Sequence, residues 1–329
     1  VSQILIDPAP ALQSGLIGGY ARIGNDWATY GANGVTAYAA YSANIQGAGA
    51  AANVMVAGAQ TITSDNTINS LVRNVAGNIN LGTYALTLVS GGFIKRDANN
   101  TTLDGTNGGH ITVGSGDGVL TALNVFLNTG NEYWYALVRD NPAGFGNSVA
   151  LVKDGSGGGV LYMYQFADND YSGGTFINTG TLQTGGADNL KYLGKGPVRV
   201  DNAVLGLGAA GATDNAVGAD YTAVNGGQVV VAAVEHRAED SFYIGPYSII
   251  SQAGAVGTNT GLNSLSRGPG GESGNIELAA DAIIGHPGLT LPLDLEYGTI
   301  KNLGSGSDLY YGLYGNQGSY PQASVTVGA

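Results

Sequence analysis

A chain of 329 residues that is 43% hydrophobic carries enough apolar side chain for a sizeable core, and a charged fraction of only 11% excludes a charge-rich disordered chain. Glycine accounts for 56 residues against 9 prolines with no Gly-X-Y period, which excludes collagen and points to corners between many short strands. With 12 Lys and Arg scattered among 24 Asp and Glu, a net charge of -12 and an isoelectric point near 4.4, the chain lacks the clustered basic residues of a nucleic-acid binder.

Cysteine is absent, which suits a chain exported through an oxidising compartment. No apolar run approaches the roughly 20 residues of a membrane-spanning helix. Because the chain opens at Val1 and closes on the strand-like Ser324-Val325-Thr326-Val327, it is read as an excised or processed piece.

In chain order, Gln3 to Asp7 is a predicted strand closed by Pro8 and Pro10. Leu16 to Ile23 and Trp27 to Tyr41 follow, broken at Gly24-Asn25-Asp26 and Gly31-Ala32-Asn33-Gly34. The Ala-rich stretch 48–52, bordered by Gly47, is a connector, and a sub-boundary is placed near 43–53 of an otherwise single unit, 1–329. From Asn53 onward short strands recur: Val54-Met55-Val56, Thr61-Ile62-Thr63, Ile68 to Val72, Ile79-Asn80-Leu81 and Ala85 to Val89. In Ile79-Asn80-Leu81 and Leu86-Thr87-Leu88 aliphatic and polar residues alternate, which turns one face inward. His110 to Val113 and Ala122 to Leu127 continue the pattern, and 131–140, with Tyr133-Trp134-Tyr135, is read as a bulkier interruption. After Leu207 come a loop at 208–218, strands at 228–234, 242–244, 247–251, 276–278 and 283–284, an irregular stretch around Pro292, and the aromatic Tyr310, Tyr311, Tyr314 and Tyr320. A turn of the coil is expected to take roughly 20 to 27 residues, with aliphatics stacked inside and Asn69 or Asn80 laddering along corners.

The densest pattern lies between Leu151 and Leu207. Thr175-Phe176-Ile177 and Thr181-Leu182-Gln183 are separated only by Asn178-Thr179-Gly180, and Val198-Arg199-Val200 and Val204 to Leu207 only by Asp201-Asn202-Ala203. Strands this short are stable only when stacked between neighbours. Leu151 to Gly155, Val160-Leu161, Asp170 to Thr175, Asn178 to Gln183 and Leu193 to Val198 resemble the autotransporter-associated β-strand repeat of bacterial surface proteins. The resemblance implies an all-β fold, a right-handed parallel β-helix (β-solenoid), in a passenger domain at the bacterial cell surface.

Chemistry is poorly marked. Asp168 and Asp170, two apart, would share one side of a strand and are the strongest carboxylate pair for calcium or acid–base work, as a polysaccharide lyase or glycoside hydrolase would need; a solvated corner explains them as well. Asp104 and Asp117 sit among glycines as turn formers, and Gly114-Ser115-Gly116-Asp117-Gly118 is a single copy of what calcium repeats need in tandem. The histidines His110, His236 and His286 lie far apart, Glu235 to Asp240 reads as an exposed charged loop, and nothing selects among Lys153, Arg199 and Arg237 as a base or clamp. Gly173-Gly174 lacks the phosphate-loop context. Tyr133, Trp134 and Tyr135, or Tyr310, Tyr311 and Tyr314, are either sugar-stacking platforms or covers for the core. The sequence therefore selects no catalytic, cofactor or metal residue. It points to an extracellular structural or adhesive protein, with end-to-end self-association, other surface proteins or a glycan as partners.

Overall fold

The computed structural model describes residues 3–155, 158–185, 192–207 and 221–232, and beyond them chiefly the backbone of strands at 241–244, 249–253, 275–278, 283–284, 299–302 and 324–327. Among the described residues every regular element is a strand, and no helix is long and apolar enough to cross a membrane. Apart from an N-terminal antiparallel sheet, the strands run parallel, stacked as a β-solenoid. Two compact units make up the chain, one of residues 1–161 with 170–173, the other of 162–169 with 174–329.

In the first unit each turn has three sides. One stacks Asn53–Val56, residues 70–73, residues 92–95, Thr121–Leu127 and Val149–Asp154. A second stacks residues 66–68, residues 85–88, His110–Val113 and Leu137–Val138. The third stacks Gln60–Thr61, Ile79–Asn80, Thr101–Asp104 and Asn131–Trp134. Strands Asn66–Arg73 and Ala85–Lys95 each supply two sides by bending at a corner, where the register shifts between Ile68 and Ser70. Gly91 makes the second bend at φ +73°, and a Cβ there would run into the carbonyl of Ala122, so both the backbone and the space require glycine.

The strand pattern of period two decides what goes inside. Val54, Leu71, Phe93 and Val125 are in register on successive turns and wholly buried, and Trp134 meets Phe93 edge to face at 5.6 Å. Of residues 131–140, read from the sequence as an interruption, 131–134 and 137–138 are thus ordinary rungs: Trp134 is a core residue because its strand parity aims it inward. Among the described residues the expected asparagine ladder is present at Asn69 and not at Asn80. Asn69 donates to Asn53 Oδ1 at 2.7 Å, while Asn80 serves its own corner by accepting from Gly82 N–H at 2.7 Å.

The N-terminal region departs from the expected coil. Arg22–Ile23, Asp26–Gly31 and Gly34–Ala37 form a three-stranded antiparallel sheet, and residues 3–7 form no strand. Met55, Val72, Ile94 and Phe126, in register on the alternate parity, form an apolar column outside the coil. Leu16 and Trp27 cover it, with Tyr38 and Tyr41 alongside. Trp27 fits because Gly92 carries no side chain at the contact. Arg96 holds the cover at its edge, pairing with Asp26 and donating to Asn25 O at 2.7 Å.

The second unit begins with evenly spaced turns, although a later pair, Phe242 and Ile276, is 34 residues apart. Thr175, Val198 and Tyr221 pair in sequence, each 23 residues after the last, within the expected period, whereas paired positions in the first unit, Asn53, Ser70, Gly92 and Asn124, are 17 to 32 residues apart. Thr175–Ile177, Val198–Asp201, Tyr221–Val224, Ser241–Ile244, Asn275–Leu278, Thr299–Asn302 and Ser324–Val327 stack on one side. Thr181–Thr184, Val204–Leu207, Gln228–Ala232, Ile249–Ala253 and Ile283–Ile284 stack on the other. Ile177, Val200 and Ala223 form one buried column and Leu182, Leu205 and Val229 another. The tight corners expected at 178–180 and 201–203 turn on Gly180 at φ +69° and Asn202 at φ +49°.

Candidate functional site

The interior of the first unit holds charge that an all-aliphatic core would not. Arg73 follows Leu71 by two positions, Lys95 follows Phe93, and Glu132 precedes Trp134, so period-two geometry turns all three inward, where their side chains are fully buried. Arg73 Nη2 lies 3.2 Å from Glu132 Oε1, and Thr101 donates to the other carboxylate oxygen. Lys95 Nζ is ringed by oxygen: Asp97 O at 2.6 Å, Asn99 O at 2.7 Å and Asp97 Oδ1 at 3.1 Å. Burial pushes the Glu132 carboxyl up and the Arg73 guanidinium down from their ordinary values, and the attraction between them opposes both shifts. Arg73 thus pairs with Glu132 and Lys95 with Asp97, both inside the coil.

The surface offers a different feature. Two turns of the first unit carry insertions between the second side and the first, residues 114–120 and 139–148, where the preceding turns have only a bend. Asn147 ties them together: its Nδ2 donates to Asp117 Oδ1 and Val119 O, both at 2.6 Å, and its Oδ1 accepts from Gly116 N–H at 2.7 Å. Asn141 adds a bond from its Nδ2 to Gly114 O at 3.0 Å. Hydrogen bonds from Asn147, Val119 N–H and Ser115 hold the Asp117 carboxyl below the usual carboxylate range. The pair of loops, fixed from within by amides, presents Phe145 at 93% exposure beside Val119 and Leu120 at 59% each. These apolar side chains stand in water on loops that the amide hydrogen bonds hold in place.

Apart from Asp117, which Asn147 holds, the sequence-selected residues fall elsewhere. Asp168 and Asp170 lie outside any strand, in 164–172, Asp168 exposed and Asp170 half-buried; the shared strand side expected of them does not exist, because the chain bends there before Thr175. Asp104 and Asp117 accept from the backbone N–H two residues on, Thr106 at 3.0 Å and Val119 at 3.1 Å, as turn formers do. His110 is half-buried, and burial first, then Arg139, pushes its pKa down. Lys153 is buried in the core and its pKa is pushed down to about 8. Arg199 pairs with Asp201 at 3.0 Å on the surface. Gly173 and Gly174 allow close approach to the Val149 and Pro197 carbonyls respectively. Tyr133 and Tyr135 are half-buried beside the core residue Trp134. Among the described residues no three His, Cys, Asp or Glu gather as a metal site would need. The charged loop 235–240 with His236 and Arg237, the loop 208–218, His286, the stretch around Pro292, and Tyr310, Tyr311, Tyr314 and Tyr320 lie outside the described residues.

Phe145 carries a signal legible in the sequence: an aromatic between Gly144 and Gly146 has no neighbouring strand to carry it inward. The partnership of Asn147 with Asp117, 30 residues apart, has none. No family model matches the chain, and neither the curated proteins nor the solved structures yield a match.

Proposed function

We propose that this chain is an extracellular β-helical surface protein of the bacterial passenger kind, which works as a stalk with an adhesive patch and not as an enzyme. The observation that carries this reading is the stack of parallel strands with in-register side-chain columns, which pairs backbone groups from turn to turn and suits a part that resists unfolding. The lack of cysteine and the low charge density favour export and a surface of neutral residues. The adhesive patch is the Phe145 loop pair, offered to a protein or glycan. Joining of copies end to end belongs to the same reading, since the outermost strand of a stack is a template for another; the native mass in solution tests it, and a monodisperse monomer would count against it.

The deciding experiment coats beads with the full chain and measures their retention on cultured epithelial cells and on a glycan array, alongside turnover of polygalacturonate with calcium. Retention without turnover is expected, and Phe145→Ala is expected to lower it several-fold while leaving the thermal midpoint unchanged, because the ring touches little of the fold. Calcium-dependent cleavage abolished by Asp168→Ala would overturn the reading in favour of a lyase.

A further inference from the structure

The braced loop pair carries charge of one sign. Residues 114–120 hold Asp117 and residues 140–148 hold Asp140, and neither stretch contains Lys, Arg or His. Arg139, at the foot of the second loop, continues the strand register, its N–H donating to Ile111 O at 3.1 Å, and its Nε is buried. Both carboxylates are held by neutral donors. Asp117 Oδ1 accepts from Asn147 Nδ2 at 2.6 Å and from Val119 N–H at 3.1 Å, and its Oδ2 accepts from Ser115 at 3.0 Å. Asp140 Oδ1 accepts from Val149 N–H at 2.7 Å and from Ser172 N–H at 3.0 Å. Neutral donors fix a carboxylate in place and leave its charge intact. None of the ion pairs among the described residues includes Asp117 or Asp140.

The exposed apolar side chains lie among these two charges. Phe145 leaves the backbone within contact of Gly118, which stands between Asp117 and Val119. Leu120 reaches over Gly173, where a Cβ would run into its Cδ1, and Gly173 follows the Ser172 that Asp140 holds. We propose that the Phe145 loop pair docks a protein segment that carries Lys or Arg beside apolar side chains. The apolar groups settle on Phe145, Val119 and Leu120, and the cations stand against Asp117 and Asp140. Charge complementarity selects this occupant. A neutral glycan leaves both carboxylates without a counterpart, and an acidic glycan or an anionic membrane is repelled by them and by the net charge of -12. This partner rests on the stalk reading, within which it gives the adhesive patch a basic, amphipathic protein ligand.

Fluorescence anisotropy of a labelled amphipathic peptide of lysine and leucine, titrated with the full chain, is expected to show saturable binding that weakens steeply between about 0.05 M and about 0.5 M salt. The same peptide with glutamate for lysine, or with serine for leucine, is expected to bind at least about tenfold more weakly. Phe145→Ala, Asp117→Asn and Asp140→Asn are each expected to lower the affinity several-fold with the thermal midpoint unchanged, since Asn keeps the Oδ1 that accepts the bracing bonds. Asp104→Asn removes an equal charge from a turn on the third side of the coil and is expected to leave binding unchanged. An equal loss on Asp104→Asn, or equal binding of the glutamate peptide, would overturn the proposal. If beads carrying the chain are retained on cells and Phe145→Ala lowers that retention while the lysine peptide is not bound, the basic partner falls and the stalk reading stands. If retention is absent as well, both fall.

Discussion

At the scale of single residues, the buried ions are the most sensitive points of the fold. Arg73 and Glu132 share one interior, so removing either leaves an uncompensated charge away from water. Glu132→Ala is expected to cost about 3–5 kcal/mol, whereas Arg73→Met with Glu132→Leu is expected to be near neutral; urea midpoints of the three proteins compare them. Lys153 titrates in the fold at about 8 against an ordinary value of 10.5, chiefly through burial. Its contribution to stability is therefore full above pH 10.5 and is lost as the pH falls through about 8, a difference of roughly 3 kcal/mol. The urea midpoint of the parent protein is expected to rise between pH 8 and pH 10.5, and Lys153→Met is expected to flatten that rise. Parity makes these residues legible once the fold is known, since each stands two positions from an inward aliphatic or aromatic residue. Composition hides them, because Arg, Lys and Glu are assigned to the surface unless a partner is known.

At the scale of elements, the strand 66–73 is buried on both faces for two unrelated reasons. The coil closes over Leu71, and the N-terminal sheet lies over Val72. Trp27 is the largest side chain of that cover and meets Phe126 edge to face at 5.8 Å. Trp27→Ala is expected to destabilise by about 3–5 kcal/mol and to raise hydrogen exchange in Asn66–Arg73, Ala85–Lys95 and Thr121–Leu127 more than in Thr101–Asp104, whose side of the coil the cover does not touch. Equal exchange in all four strands would show that the cover does not act locally. The corners at Gly180 and Asn202 are readable because a positive φ selects Gly and Asn. The hairpins of the N-terminal sheet are not, since Gly31 to Gly34 serves an antiparallel turn as well as a coil corner, and only the partner strand distinguishes them.

At the scale of the whole molecule, the excess of acidic residues governs how copies meet. A net charge of -12 sets repulsion against any contact that joins them at neutral pH, and it vanishes near pH 4.4. Light scattering against pH is expected to show association rising steeply as the pH approaches about 4.4 and reversing on return to pH 7. A flat profile would place the attraction between copies outside electrostatics.

The order of apolar and polar residues, with glycine or asparagine at the breaks, was enough by itself to determine that the chain is all-β and coiled, because a strand's parity and a corner's φ are local properties. Which outer column of the coil lies under Trp27, which interior positions hold ions, and how Asn147 reaches Asp117 were decided only by the tertiary structure. Each of those contacts joins residues on different turns, and the varying length of the turns in the first unit sets which residues meet.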